Sequence, residues 1–298
     1  MAFASDIEVL ATPTFASRGW VRAVAQAAAK NPAGALAGLA CLLLVFLAVF
    51  GPMVSPYSPN DVNFPLLESP SLSHPFGTDN LFRDLFSRII YGSRNSLGVG
   101  FAAVGVSLAL GVFCGITGGY LGGAWDAAVT GFVNVMFSYP SLVLVIFLVT
   151  IFGQHFAVIS IAIGLILTPY TIRVVRSATL AVRSLQYIEA AVALGASPLR
   201  IMFRHILPNV TAYIIVVASV NIGLAILIEA SVSFLGLGVS SDTNPSWGRM
   251  LQETRNVWQQ AWWTAVVPGA AISFAVVAFN VFGDALRDWL DPRLRGSR

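Results

Sequence analysis

Long stretches without charge dominate this sequence. Between Asp126 and Arg173 lie 46 residues that include no Asp, Glu, Lys or Arg. A helix needs about 20 apolar residues to cross a bilayer, so this stretch predicts two crossings, with a hinge at residues 152–155. The whole chain is 56% apolar and only 10% charged, with a mean hydropathy of +0.77. We therefore expect an all-α membrane protein rather than a soluble domain.

The apolar runs together predict six transmembrane helices. Pro140 interrupts the third of them, and a proline inside a helix frees a backbone carbonyl that needs a neighbouring helix or a water-lined cavity. Pro140 is therefore a candidate for a translocation pathway. We interpret the first run as an uncleaved anchor because no convincing signal-peptide cleavage site follows it. The six predicted spans are 33–54, 96–121, 127–151, 156–172, 210–237 and 264–283.

Small residues mark places where these helices can approach one another closely. Gly34 and Gly38 form such a pair in the first run, and Gly111, Gly115 and Gly119 form a stripe at four-residue spacing in the second. Both cysteines, Cys41 and Cys114, also lie inside apolar runs, where a disulfide framework has no role. We expect them to be small buried residues.

The basic residues indicate how the chain is oriented in the membrane. If the N-terminus is cytoplasmic, the inner segments hold twelve Lys and Arg residues and the outer segments five, as the positive-inside rule requires. The net charge is +3. The basic residues are dispersed over several short loops without interleaved aromatic residues, which argues against nucleic-acid binding. Lys30 is the only lysine and follows no glycine-rich loop. The chain has no Walker A motif, so any ATP must be bound by another polypeptide.

Four segments follow from this pattern. We expect a basic cytoplasmic segment at 1–31, and a first helix with a proline-rich extracytoplasmic segment at 32–95. A core transmembrane domain follows at 96–283, and a charged cytoplasmic tail at 284–298. Within the extracytoplasmic segment, Asp84 and Arg88 are spaced i, i+4, which predicts an ion pair on one helix face.

The segment 184–209, with the sequence SLQYIEAAVALGASPLRIMFRHILPN, is a polar island between charge-free runs. It predicts a short helix that Ser184 caps and Gly195 ends, since glycine adopts a left-handed conformation at little cost.

A second short helix begins at Ser197 and Pro198, the preferred residues for an N-cap and a first helical position. We expect Pro208 and Asn209 to stop it. Large apolar side chains follow one another at helical spacing, and we expect them to form a contact face for another protein. The members of that predicted face are Leu199, Met202 and Phe203.

The island also carries a recognisable signature. Glu189, Ala190 and Ala191, followed by Gly195 and the Leu-Pro pair 207–208, match the EAA motif, so the chain resembles permease subunits of ATP-binding-cassette importers. The broad pattern has an apolar residue at the position of His205, whereas RHILPN is similar to the dipeptide and oligopeptide branch. The string HPFGTDNLFRDLFSRIIYGSRNSL, which starts at His74, is similar to the same branch. It has Phe82 where glycine is usual.

This resemblance implies the type I importer fold, with six transmembrane helices and a cytoplasmic loop that docks into a cleft of an ATPase subunit. It implies a second homologous permease, two ATP-binding subunits that hold ATP and Mg²⁺, and an extracytoplasmic peptide-binding protein. No catalytic, cofactor or metal residue is implied in this chain. The alternative is a helical hairpin that packs only on its own protein. The residues implied to couple to the ATPase are Glu189, Ala190, Ala191, Gly195, Ser197, Pro198, Leu199, Met202, Phe203 and Pro208.

Glu229 is the one charged residue in the fifth span, where a charge is costly and often functional. It either holds helices together or contacts substrate or protons.

The function favoured is ATP-driven peptide import, and nickel, glutathione or oligosaccharide import are alternatives within the family. An ion-driven secondary transporter is a further alternative. Such proteins often have internal repeats and ion sites near the midplane, but this sequence offers only Glu229 as a site and shows no convincing repeat. A membrane hydrolase lacks support, since the three histidines sit in separate loops without an HExxH or GxSxG motif.

Overall fold

The computed structural model describes residues 29, 31–239 and 245–290 of the 298. Almost all of the segment 1–31 and residues 291–298 of the tail therefore lie outside the described residues. The helices, in chain order, are α1 Pro32–Val54, α2 Leu85–Leu121, α3 Gly123–Phe137, α4 Ser141–Phe152, α5 Phe156–Arg183, α6 Gln186–Ala193, α7 Pro198–Ile201, α8 Leu207–Phe234, α9 Trp247–Glu253 and α10 Trp263–Leu290.

The described helices agree with the predicted membrane topology. Five are long and apolar enough to cross a bilayer, and α3 with α4 adds a sixth crossing if this pair counts as one span. The two are bent by 90° at the break before Ser141, where Pro140 was predicted to interrupt the helix. The predicted hinge at 152–155 is also confirmed, because α4 ends at Phe152 and Gly153 has a φ of 94°.

Three predicted boundaries were wrong. Helix α2 begins at Leu85 rather than at residue 96, because the Asp84 carboxylate accepts a hydrogen bond from the backbone N–H of Ser87 and caps it. Helix α5 runs on to Arg183 rather than ending at residue 172, and α10 runs on to Leu290 rather than ending at residue 283. In each case the helix continues past charged residues that hydropathy alone would leave outside the membrane.

Helix α2 lies at the centre of the bundle and packs along α5, α8 and α1. The predicted glycine stripe makes the α2–α5 contact possible, since a Cβ at Gly115 would lie 2.8 Å from the Cβ of Val175. Gly34 and Gly38 likewise face Ala285 and Phe282 of α10. Both predictions of close helix contact are confirmed.

A polar link joins three helices inside the bundle. The hydroxyls of Ser107 and Thr171 lie 2.8 Å apart, and the Asn221 amide donates to Thr171 Oγ1 at 3.0 Å.

Cys41 is buried and Cys114 half-buried, and neither forms a disulfide. The turn between α6 and α7 lies at the end of the bundle that we name inner, after the predicted orientation. Residues 55–84 and α9 lie at the outer end.

Candidate functional site: the inner hairpin

Residues 186–206 form a helical hairpin, which we call the inner hairpin. Its first helix ends as predicted at Gly195, which has a φ of 79°. The N–H of Gly195 donates to the carbonyl of Val192 at 2.9 Å, and the N–H of Ala196 donates to that of Ala191 at 3.0 Å. This pair of bonds is the Schellman motif. A Cβ at Gly195 would meet no atom within 4 Å, so the backbone conformation, rather than space, favours glycine here.

The second helix begins as predicted. Ser197 is its N-cap and accepts a hydrogen bond from the backbone N–H of Arg200 at 3.4 Å, and Pro198 follows at the first helical position. The prediction that Ser184 caps the first helix was wrong. The N-cap of α6 is Leu185, and the Ser184 hydroxyl donates to the carbonyl of Ala181 in the last turn of α5. Because α5 extends to Arg183, Ser184 belongs to the end of that helix.

The prediction that Pro208 and Asn209 stop the second helix was also wrong. The chain passes from α7 through a π-helical turn, Met202–Ile206, directly into α8. The N–H of Leu207 donates to the carbonyl of Met202, five residues earlier. Proline lacks an N–H and its ring crowds the carbonyl four residues before it, and the wider π turn absorbs this conflict. The hairpin is therefore a continuous extension of a membrane-spanning helix.

One side of the hairpin packs against the bundle. Met202 is only 7% exposed and lies in a core cluster with residues of α2 and α5. The prediction that Met202 shares an outward face with Leu199 and Phe203 was therefore wrong. Leu199 and Phe203 form one i, i+4 row, Met202 and Ile206 form another, and only the second row meets the bundle. The buried residues of the hairpin are Ile188, Ile201, Met202 and Ile206.

The other side of the hairpin is apolar and exposed. Leu194, Leu199 and Phe203 are 89%, 64% and 68% exposed. Together with Val192, which is also exposed, they form what we call the open face. Arg200 and Arg204 are exposed in the same hairpin, as are Glu189, Ala190 and Pro208, while Ala191 is half-buried. Exposed apolar side chains that are grouped in one hairpin are typical of interaction surfaces.

Comparison with known proteins identifies the family. Residues 107–296 match the family model described as binding-protein-dependent transport system inner membrane component. The chain belongs to this family. Residues 26–73 of the permease match a second model, the N-terminal TM domain of oligopeptide transport permease C. The predicted resemblance to importer permeases is thus confirmed.

Curated relatives cover most of the permease. It is 41% identical to the dipeptide transport system permease protein DppC of Alkalihalophilus pseudofirmus over 252 residues, 84% of this chain and 83% of that one. It is also 41% identical to the glutathione transport system permease protein GsiD of Pectobacterium atrosepticum over 261 residues, 87% and 86% of the two chains. The permease is a multi-pass inner-membrane component of an ATP-binding-cassette transporter. Its family implies a partner ATPase and a substrate-binding protein.

A solved structure shows the same fold. The permease matches a chain in an inward-facing structure of the MetNI methionine ABC transporter with a TM-score of 0.54 at 17% identity. The match covers 70% of this chain and 96% of that chain. The predicted type I importer fold is confirmed.

The two candidate pathway residues lie apart from the hairpin. Glu229 is 1% exposed and sits near the outer end of α8, where the Ser233 hydroxyl donates to its Oε1 at 2.7 Å. The hydroxyls of Ser96 and Ser246 lie against the same carboxyl group, so it links α8 to α2 and to the start of α9. Pro140 is exposed at the bend between α3 and α4.

At the outer end, the permease holds a buried group of charges that sequence reasoning missed. We call it the outer cluster: Asp79, Arg83, Arg88, Arg249 and Glu253. The guanidinium of Arg83 lies 2.8 Å from Asp79 and 2.7 Å from Glu253. That of Arg88 lies 2.5 Å and 2.8 Å from the same two carboxylates. The cluster ties the start of α2 to α9.

The predicted ion pair of Asp84 with Arg88 was wrong. Asp84 instead lies 2.9 Å from Nδ1 of His74 and caps α2, while Arg88 turns toward Asp79 and Glu253. Arg88 and Glu253 are 165 residues apart, a separation that no local pattern reveals. Phe82, at the position where the resemblance leads us to expect glycine, adopts a φ of 61°, a conformation that favours glycine.

The cluster controls the ionisation of Glu253. Burial alone would raise the pKa of this carboxyl group. The guanidiniums of Arg88, Arg83 and Arg249 outweigh burial and hold the pKa of Glu253 below its ordinary value. Glu253 is therefore ionised at neutral pH and fixed between positive charges.

Proposed function

We propose that the permease imports short peptides as part of a complex with a second homologous permease, two ATP-binding subunits and an extracytoplasmic peptide-binding protein. The peptide substrate is supported by sequence identity, which is 41% both to a dipeptide permease and to a glutathione permease. Glutathione is itself a tripeptide, so the two substrates share amide groups and a free carboxylate. We infer that the permease handles this shared chemistry.

The proposed orientation places both termini and the inner hairpin in the cytoplasm. It follows from the twelve basic residues in inner segments against five in outer ones. The segments 1–31, 32–95, 96–283 and 284–298 then have the roles expected from the sequence. With this orientation the hairpin lies on the side of the membrane where ATP is available.

The observation that carries the coupling role is the open face. Burying a large apolar side chain contributes about 1.5 to 3 kcal/mol, so Leu194, Leu199 and Phe203 offer substantial binding energy that the isolated chain leaves unused. Arg200 and Arg204 add positive charge beside them. This combination fits a groove with an apolar floor and an acidic rim on an ATPase subunit.

We propose that movement of the hairpin reaches the outer end through one continuous helix. Residues 198–234 form one helical run of 37 residues, about 55 Å at 1.5 Å per residue. Its far end is held by Glu229, whose buried hydrogen bond and hydroxyl neighbours suit an architectural role. We propose that the bend at Pro140, which is an exposed residue, lines the translocation pathway.

Uptake measurements test the substrate and the energy source. In a strain that lacks the chromosomal permease, plasmid-borne permease is expected to restore uptake of labelled di- and tripeptides, including glutathione. Deleting the partner ATPase should abolish that uptake. Restored uptake of nickel or oligosaccharide without peptide uptake would contradict the substrate assignment. Peptide uptake that persists without the ATPase would indicate an ion-driven transporter instead.

A further inference from the structure

Helix α3 crosses α5 rather than running alongside it. Asp126 of α3 pairs with Arg176 of α5, and Phe137 of α3 lies 4.5 Å below the guanidinium of Arg173. The two α3 residues are eleven positions apart, about 17 Å along the helix, whereas the two α5 residues are only three positions apart, about 5 Å. Two helices running side by side would have similar separations. Helix α4, bent by 90° from α3, packs beside α5. If α5 crosses the membrane, α3 lies close to the membrane plane.

A cleft of about 70 Å³ lies where α3 crosses α5. Its residues are Thr130, Val133, Asn134, Ile172, Arg173 and Arg176. Val133 and Ile172 are buried and give it an apolar floor, while Asn134 and Arg173 are exposed at its rim. An apolar floor with a polar, basic rim matches a lipid, whose headgroup and acyl chain have these two characters.

The charges around the cleft are unbalanced. Arg176 binds Asp126 through both oxygens, with Nη2 lying 2.7 Å from Oδ2, so its charge is neutralised. Arg173 contacts the Phe137 ring, and within 31–239 and 245–290 no carboxylate forms an ion pair with it. The cleft therefore retains one net positive charge in a largely apolar setting, where a guanidinium binds phosphate strongly.

We propose that this cleft binds an anionic phospholipid of the inner leaflet, with Arg173 holding the headgroup phosphate and Thr130 and Asn134 donating hydrogen bonds to it. The proposal rests on the proposed orientation, which places the cleft at the cytoplasmic leaflet, where anionic lipids and basic clefts between helices meet. A bound lipid would hold α3 against α5 next to the bend at Pro140.

Native mass spectrometry of the assembled, delipidated transporter tests this site. Phosphatidylglycerol is titrated in, with phosphatidylcholine as a zwitterionic comparison. Arg173→Gln is expected to weaken phosphatidylglycerol binding by about tenfold, the loss of one charge-assisted contact, and Arg173→Lys by less. Arg287→Gln removes an exposed arginine from the last turns of α10 and should leave the affinity within about twofold. This readout does not depend on transport, so it is separable from failure of the proposed function.

Three results would overturn the proposal. Equal phosphatidylglycerol binding by wild type and Arg173→Gln would show that the cleft is not the site. Displacement of the lipid by millimolar inorganic phosphate would indicate a soluble-anion site. Loss of the second permease from the Arg173→Gln complex would indicate a protein contact. Should that variant not assemble at all, Asn134→Ala keeps the charge and is expected to weaken lipid binding by about threefold, and unchanged binding would again refute the site.

Discussion

The two ends of the permease are stabilised in opposite ways. At the outer end, charged side chains are buried and paired with one another across long sequence separations, as Arg88 and Glu253 show. At the inner end, one side of the hairpin packs against the bundle, while large apolar side chains such as Leu194 and Phe203 on the other side are exposed. Local capping bonds fix the turn between its two helices. The outer end is thus held together by ion pairs within one chain, whereas we propose that a partner subunit covers the open face at the inner end.

This difference suits a subunit that receives movement at one end. Separating the partners of a buried charge pair is strongly destabilising, so we expect the outer cluster to resist displacement. We expect the open face of the hairpin to contribute binding energy to the ATPase subunit that covers it. Three predictions test the contrast, beginning with the largest effect.

Asp79→Ala should be the most damaging change at the outer end. Asp79 accepts hydrogen bonds from the side chains of Arg83 and Arg88, and removing one partner of a buried ion pair costs about 3 to 5 kcal/mol. We expect the midpoint of heat-induced unfolding of the purified permease to fall by roughly 10 °C. Fluorescence-detected size-exclusion chromatography after heating measures this midpoint.

Asp284→Asn is the control for that variant. Asp284 is an exposed carboxylate in the last turns of α10, so its loss should leave the midpoint nearly unchanged. Equal midpoints for Asp79→Ala and the control would mean that the outer cluster does not stabilise the outer end.

Gly195→Val tests the inner end. Valine in a left-handed backbone conformation costs about 1 to 3 kcal/mol, so the turn should open while the transmembrane bundle remains folded. We expect normal membrane insertion, but ATP hydrolysis that no longer drives peptide uptake. Proteoliposomes containing the complete transporter allow ATPase activity and uptake to be measured together.

Gly105→Val is a matched control, because a Cβ there also meets no atom within 4 Å, while Gly105 lies inside the regular helix α2. It should leave coupling intact. Wild-type uptake by Gly195→Val would remove the case for a conformational requirement at that turn.

The smallest effect concerns pH at the outer end. Because the pKa of Glu253 is held below its ordinary value of 4.5, its ionised form favours the folded state. This stabilisation is present at neutral pH and is lost as the pH falls below about 4.5 toward the lower folded pKa. Glu253→Gln should destabilise the permease at pH 7 and flatten the acid-side decline of the heat-unfolding midpoint. Parallel pH profiles for the variant and wild type would contradict this role.

Local signals in the sequence predicted much of the inner hairpin. Gly195, Ser197 and Pro198 each act on the backbone within a few residues, so their effects could be anticipated. The predicted stop at Pro208 failed because the π turn that accommodates it depends on how the hairpin packs against α2 and α5. Met202 was misplaced for the same reason: spacing defines rows along a helix, but tertiary packing decides which row is buried.

Little of the outer end could be predicted. The number of spans followed from hydropathy, yet the true start of α2 depends on a cap at Asp84, and the partners of Arg88 come from a distant segment. Local spacing suggested Asp84 as that partner, whereas the fold supplies Asp79 and Glu253. Ion pairs between distant segments leave no periodic signal, so a single sequence does not reveal them.

Cysteine crosslinking tests the central claim most directly. Leu199→Cys lies on the open face and Ile201→Cys on the buried side of the same short helix, since Leu199 is 64% exposed and Ile201 is 0% exposed. In membranes that contain the complete transporter, a short bifunctional thiol reagent should join position 199, but not position 201, to the ATPase subunit. Crosslinking should also vary with nucleotide. Failure to capture the ATPase at position 199, with the complex assembled and active, would contradict the account.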